Sequence, residues 1–189
     1  MGNSYYDLII AGLGGQGSLT IGRLLAEAGS SVFKHSSFFP NYGPNMRGGE
    51  CESTVIFSDK ELCAATILNP MAVILMGVRS GANAIKEFIP RVKSGGIIII
   101  DSLISAKIDR KDISVYSIPA NEIAIKIGNN QVTNFVFLGA YLEASNVVPL
   151  KIIEDLMEER MLSQRKKTIL ELNKKALMEG VKVANSIMR

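Results

Sequence analysis

The chain has 189 residues, 47% of them hydrophobic and 21% charged, with a net charge of +3. This is ordinary composition for a single globular domain, long enough to bury about 70% of its unfolded surface without a disulfide or metal staple. The absence of Trp and an aromatic content of 6% argue against a stacking surface for single-stranded nucleic acid. The charge excess sits from Lys151 onward, where 9 basic residues outnumber 6 acidic ones, and forms no stripe of the kind that wraps nucleic acid.

In chain order, "MGNSYYDLII" has no basic region, and its apolar run is too short for a signal peptide or a membrane span. Tyr6 occupies the position that N-myristoylation of Gly2 needs as Ser or Thr. No membrane partner is expected, and the expected compartment is the cytoplasm. Leu8–Ala11 predicts a first strand, followed by a glycine turn and a helix over Ser18–Glu27. Ser30–Pro40 covers the end of a second strand, and a turn-rich loop leads into the alternating stretch 50–58. That stretch, with Cys51, Ser53, Val55 and Phe57 on one face, predicts an added strand that is antiparallel.

Ala72–Met76, Ile97–Ile100 and Ile113–Ile118 predict three more strands. The first two, like Leu8–Ala11, are continuous apolar runs, as strands covered on both faces read. A helix over Gly81–Val92 precedes "KSGG", whose glycine pair is expected to end it. After Asn130 the pattern turns helical. Gln131–Ser145 carries a broad apolar stripe, Pro149 opens a helix through about Met161, and a long amphipathic helix closes the chain. The apolar positions of that last helix are Ile169, Leu172, Ala176, Leu177, Gly180, Val181, Ala184 and Ile187. The expected fold is α/β: a three-layer, Rossmann-like, doubly wound and mostly parallel (mixed) sheet with a helical C-terminal region. The expected organisation is one domain over 1–189, with the sheet core in 1–130 and the helices in 131–189.

Gly12, Gly14 and Gly17 have the spacing of a dinucleotide-binding turn between a strand and a helix. Gly12 suits a tight turn, Gly14 lets an anion approach the backbone, and Gly17 lets helix and strand pack closely. Amides in the first helical turn suit a phosphate. The acid that would hold a ribose at the end of the second strand is missing, since Ser30–Pro40 contains no Asp or Glu. Lys34 offers a contact to a 2′-phosphate. NAD(P) binding by a stand-alone reductase, a turn used only for packing, and a role towards another phosphate or a partner all remain open. An adenylating fold of the ubiquitin-activating type ranks lower, because it needs the same acid and commonly carries paired zinc cysteines.

Cys51 and Cys63 lie twelve apart with no CxxC pair, and His35 is the single histidine. Two cysteines are too few for an iron–sulfur cluster or a structural zinc, which need about four ligands. No metal site is expected, and the thiols read as buried ones in a reducing compartment.

The second motif is "YGPNMRGG", Tyr42–Gly49. Its Pro and Gly residues make a turn-rich loop, its glycines leave the backbone bare, and Arg47 supplies a planar fork for carboxylate or phosphate. A surface loop with a structural Arg fits these residues equally well.

Together, "GLGGQG" and "YGPNMRGG" thirty residues later resemble the gamma subunit, or gamma domain, of 2-oxoacid:acceptor oxidoreductases, the 2-oxoglutarate type among them. The resemblance runs nearly the whole chain, through "NPMAVILM", "SGGIIIIDS" and the helical finish. It implies a subunit of a thiamine-dependent enzyme that converts a 2-oxoacid and coenzyme A to acyl-CoA and CO2, with electrons passed to a ferredoxin-like acceptor. It implies alpha, beta and delta partner subunits that hold thiamine diphosphate, magnesium and the iron–sulfur clusters. It implies that the gamma part helps to close the active site and accommodate coenzyme A. The positions matching the two motifs are Gly12, Gly14, Gly15, Gln16, Gly17, Ser18, Tyr42, Asn45, Arg47, Gly48 and Gly49, with Arg47 expected to meet an anion or an interface carboxylate. An exposed apolar patch near the motifs is expected.

No residue reads as a catalytic nucleophile or general acid/base, and the isolated chain is expected to be inactive. Asp101 ends the isoleucine run and is expected to cap a turn rather than to bind a ligand.

Overall fold

The structure is a computed structural model, and it describes residues 5–42, 50–61, 67–77, 81–105, 107–163 and 167–188. Six strands form one mixed sheet: β1 (Tyr5–Leu13), β2 (His35–Tyr42), β3 (Glu50–Ser58), β4 (Ala72–Leu75), β5 (Ile97–Asp101) and β6 (Ser114–Ile118). Their order across the sheet is β2-β3-β1-β4-β5-β6. β1, β4, β5 and β6 run parallel, whereas β3 is antiparallel to both β1 and β2. The alternation of residues 50–58 therefore marks an antiparallel strand, as its pattern predicts.

Six helices accompany the strands: α1 (Ser18–Gly29), α2 (Gly81–Phe88), α3 (Ala120–Ile127), α4 (Thr133–Ser145), α5 (Leu150–Ser163) and α6 (Lys167–Ile187). Successive side chains of a strand point to opposite faces, and the core divides accordingly. Leu8, Ile10, Val55, Phe57, Ile74 and Ile99 pack with α1 and with α3 to α6. Ile9, Ala11, Ile56, Val73, Leu75, Ile98 and Ile100 pack with Phe88, Ile89 and Val92. The helices after Asn130 share the larger cluster with the strands.

Several expectations need correcting. The stretch before "KSGG" is a helix of 8 residues followed by a 3-10 turn, Ile89–Arg91, because Pro90 lacks an amide proton to continue the ladder. Gly95, at φ +79, shapes the later turn, and a Cβ on Gly96 would collide with the carbonyl of Met71; neither glycine ends the helix. Helix α3 has no counterpart in the sequence reading. Helix α4 is buried from Asn134 through Leu142 rather than along one stripe, so it is the central helix of its layer. On α6 the buried face runs through Leu170, Asn173, Ala176, Leu177, Gly180 and Ala184, whereas Ile169 and Ile187 are exposed.

Close backbone approach replaces side-chain packing where α4 meets α6. A Cβ on Gly139 would overlap the Leu177 carbonyl, and one on Gly180 would overlap that of Val136. Helix α1 sits against β3 in a similar way. A Cβ on Gly22 would lie 2.7 Å from Ser53 Oγ, and one on Gly29 would enter the Phe57 ring. These two glycines, rather than Gly17, let helix and strand pack.

The amino edge of the sheet is locked. The buried Asp7 carboxylate accepts from the Met71 amide at 2.5 Å and pairs with Lys93 at 3.5 Å. Burial, reinforced by Asp7, pushes the Tyr5 hydroxyl there up to about 12.

Candidate functional site at the carboxyl edge

Glycines and the strand register build the opposite edge. β1 ends at Leu13, the chain turns through Gly14–Gly17, and α1 starts at Ser18. Gly15 and Gly17 have φ of 98° and 81°, the left-handed region that glycine enters without cost. Gly15 has nothing near its Cβ position, so its conformation alone requires glycine. Gly17 is crowded as well, because a Cβ there would strike the side chain of Asn134 on α4. The Asn134 amide donates to the Gly17 carbonyl at 3.4 Å. No side chain caps α1, and its first turn carries no acid. A terminus of that kind presents amides with partial positive charge.

Gln16 closes the turn. Its backbone amide donates to the Leu13 carbonyl at 3.1 Å, and its side-chain Oε1 accepts from the Leu13 amide at 2.7 Å. The same side chain lies where a Cβ on Gly77, just beyond β4, would fall, and 2.9 Å from where one on Gly12 would be. Ser18 turns inward, with its hydroxyl donating to the Cys51 sulfur at 3.5 Å and 1% of its surface exposed. Only the Ser18 backbone is left at the turn.

The register places Tyr42 and Glu50, which flank the loop of the second motif, at the edge that carries the first. Gly12 pairs with Cys51, and Cys51 pairs with Tyr42. The loop between Tyr42 and Glu50 therefore leaves and re-enters the sheet from two successive strands next to β1, at the edge that carries the glycine turn. Neighbouring strands lie about 4.8 Å apart. Asn45, Arg47, Gly48 and Gly49 fall outside the described residues, and Tyr42 is described only as the last residue of β2.

The missing ribose acid now has a structural context. In a dinucleotide fold the second strand lies beside the first. Here the antiparallel β3 separates β2 from β1, so the carboxyl end of β2 is two strands away from the glycine turn.

Asp101 behaves as a turn cap. It is 1% exposed, its Oδ1 accepts from the Leu103 amide at 3.0 Å, and its Oδ2 accepts from Asn121 at 3.0 Å. Glu52, half-buried on β3, has its carboxyl held above the usual range, first by burial and then by Glu87, with Arg91 partly opposing. Cys51 is a buried free thiol, and Cys63 lies outside the described residues. Among the described residues no three His, Cys, Asp or Glu side chains gather as metal ligands, and no helix is long and apolar enough to cross a membrane.

Large apolar side chains near this edge are sparse. Phe39 on β2 is 37% exposed, and Leu103, just past β5, is 52% exposed. Sequence reasoning missed Asn134, Met76 and Gly77 as parts of the turn. The sole local signal was a glycine directly after the "AVILM" strand.

The model of the family described as pyruvate ferredoxin/flavodoxin oxidoreductase matches residues 7–183. The chain belongs to that family. This member of the pyruvate ferredoxin/flavodoxin oxidoreductase family is 35% identical over 133 residues to ketoisovalerate oxidoreductase subunit VorA of Methanothermobacter thermautotrophicus, a match covering 70% of this chain and 27% of that one. It thus spans about a quarter of that curated relative. It is 29% identical over 185 residues to 2-oxoglutarate synthase subunit KorC of Methanocaldococcus jannaschii, covering 96% of this chain and 95% of that one. Among solved structures, the gamma subunit of a keto/oxoacid ferredoxin oxidoreductase from Geobacter sulfurreducens superposes with a TM-score of 0.76 at 26% identity, over 96% of this chain and 99% of that one.

Proposed function

We propose that this chain is the gamma subunit of a multisubunit, thiamine-dependent 2-oxoacid:acceptor oxidoreductase. The complex takes a 2-oxoacid and coenzyme A to acyl-CoA and CO2, and two electrons leave to a ferredoxin-like acceptor. Thiamine diphosphate, magnesium and iron–sulfur clusters reside in alpha, beta and delta subunits, because two cysteines and one histidine cannot ligate a cluster. The assembly is cytoplasmic, and its substrate is a 2-oxoacid, with 2-oxoglutarate one candidate on the end-to-end likeness to KorC. The chain acts as a single unit over 1–189.

Its own contribution is a surface for an anion. The observation that carries this reading is the register Gly12–Cys51–Tyr42, which roots both motifs at one sheet edge. Bare backbone at Gly14, Gly15 and Gly17 and at Gly48 and Gly49, together with the Arg47 guanidinium, suits the phosphates of coenzyme A or a carboxylate of a neighbouring subunit. The chain positions and covers while the chemistry proceeds on its partners.

The test is Arg47→Ala in the reconstituted complex. Losing one charge-assisted hydrogen bond raises the KM for coenzyme A about tenfold, while the isolated subunit keeps its circular dichroism spectrum. An intact complex with unchanged KM for coenzyme A overturns the anion role of this edge.

A further inference from the structure

We propose that the Gln16 side chain is a removable latch over the slot between the ends of β1 and β4, and that a ligand's acceptor oxygen takes its place on the Leu13 amide. The inference rests on the coenzyme A reading above and adds the control of that same edge.

Three observations meet at one point. The Leu13 amide lies past the end of the β1–β4 pairing, which stops at Ala11 opposite Leu75, and donates to Gln16 Oε1 at 2.7 Å. The Gln16 amide group fills the space that side chains at Gly12 and Gly77 would need. Gly77 has φ +83, so two chain segments 65 residues apart both leave bare backbone around one side chain. A slot whose walls are glycine backbone is shaped by its occupant, and the occupant here is a neutral carbonyl oxygen on a flexible stem. A phosphate or carboxylate oxygen is the same kind of acceptor carrying charge, and it makes the stronger hydrogen bond to the same donor.

Gln16 is the residue best able to yield. It is half-exposed and its side chain is held by the Leu13 amide, whereas Asn134 behind the turn is buried. With the latch shut, apparent affinity is the intrinsic affinity reduced by the fraction of open molecules. The latch thus holds the slot dry and ordered until a competing oxygen arrives, and it ties the glycine turn to the end of β4. Gln16 is a positioning residue in this scheme.

The experiment uses the reconstituted complex, coenzyme A as probe, and two variants. Gln16→Ala opens the slot and lowers the KM for coenzyme A about fivefold, by the value of one neutral hydrogen bond. Gln16→Glu keeps the length and the acceptor oxygen but adds charge, so it shuts the slot and raises that KM. The Leu13 amide of the isolated full chain, followed by NMR, shifts in both variants. A raised KM in Gln16→Ala makes Gln16 a direct ligand contact and overturns the latch. Unchanged KM in both variants also overturns it. Arg47→Ala separates that failure from failure of the underlying reading. If Arg47→Ala raises the KM and the Gln16 variants do not, the latch alone fails. If none of the three changes it, the anion role of the whole edge fails. Thermal unfolding of each variant identifies any loss that is only of fold.

Discussion

Two regions of this molecule are built on glycine, and they use it for opposite ends. At the carboxyl edge, Gly15 and Gly17 adopt positive φ, and Gly12 and Gly77 leave a slot that one glutamine fills. Where α4 crosses α6, Gly139 and Gly180 have ordinary helical backbone and are glycine because another backbone touches them. In the first region the missing side chain leaves room for the side chain of another residue, Gln16 or Asn134. In the second it removes room altogether. Glycine content therefore says little until the neighbour at each Cβ position is known.

The strongest way to break this contrast is to place a methyl group at the helix crossing. Gly139→Ala and Gly180→Ala each put a Cβ into a partner carbonyl, and neither helix can rotate away, because α4 is buried on all sides. Alanine gains about 1 kcal/mol in helix propensity, yet the helices must separate along their length. The expected net loss is about 3 kcal/mol in urea unfolding. Variants as stable as the parent would show that the crossing has slack and that the two regions do not differ as argued.

At the turn the costs are smaller and separable. Gly17→Ala meets both a positive φ and the Asn134 side chain, and should lose about 2 kcal/mol. Gly15→Ala meets the unfavourable φ alone, with open space around it, and should lose about 1 kcal/mol. Equal losses at the two positions, measured by the same denaturation, would mean that crowding by Asn134 contributes nothing.

The same contrast explains what the sequence could and could not disclose. β1, β4 and β5 are legible because continuous apolar runs need cover on both faces, and β3 because it alternates. On α6 the stripe was read correctly at Ala176, Leu177, Gly180 and Ala184 and misread at its ends, where Leu170 and the polar Asn173 face inward and Ile169 and Ile187 are exposed, since a periodicity count treats Asn as solvent-facing. Helix α3 was missed because its 8 residues follow β6 through Pro119 and carry Ile125 outward, 64% exposed, beside the buried Ile123. For the site, the residue types at Gly12–Ser18 were readable, since a turn is local. The latch was not, because Gly77 and Asn134 reach Gln16 and Gly17 only through the folded chain.

The smallest predicted effect concerns Glu52, which lies on β3 three residues after the end of the second motif, opposite Ala11 and Asn41. Burial and the nearby Glu87 hold its carboxyl above the ordinary range. The folded chain therefore binds this proton more tightly than the unfolded chain does. The resulting stabilisation is complete in acid, below the ordinary carboxyl range, and is lost as pH rises through the raised value. At neutral pH Glu52 is a half-buried charge beside another of the same sign. Glu52→Gln removes that charge with little change of shape. Because the group is partly solvated, the expected gain at pH 7 is about 0.5 kcal/mol, or about 1–2 °C in Tm, and it vanishes towards pH 4. Thermal scans of both proteins across that range test the sign. A gain that persists unchanged in acid would trace to something other than the carboxylate. A loss at pH 7 would mean that Arg91 outweighs burial and Glu87, and that the Glu52 carboxylate helps to hold β3 against α2.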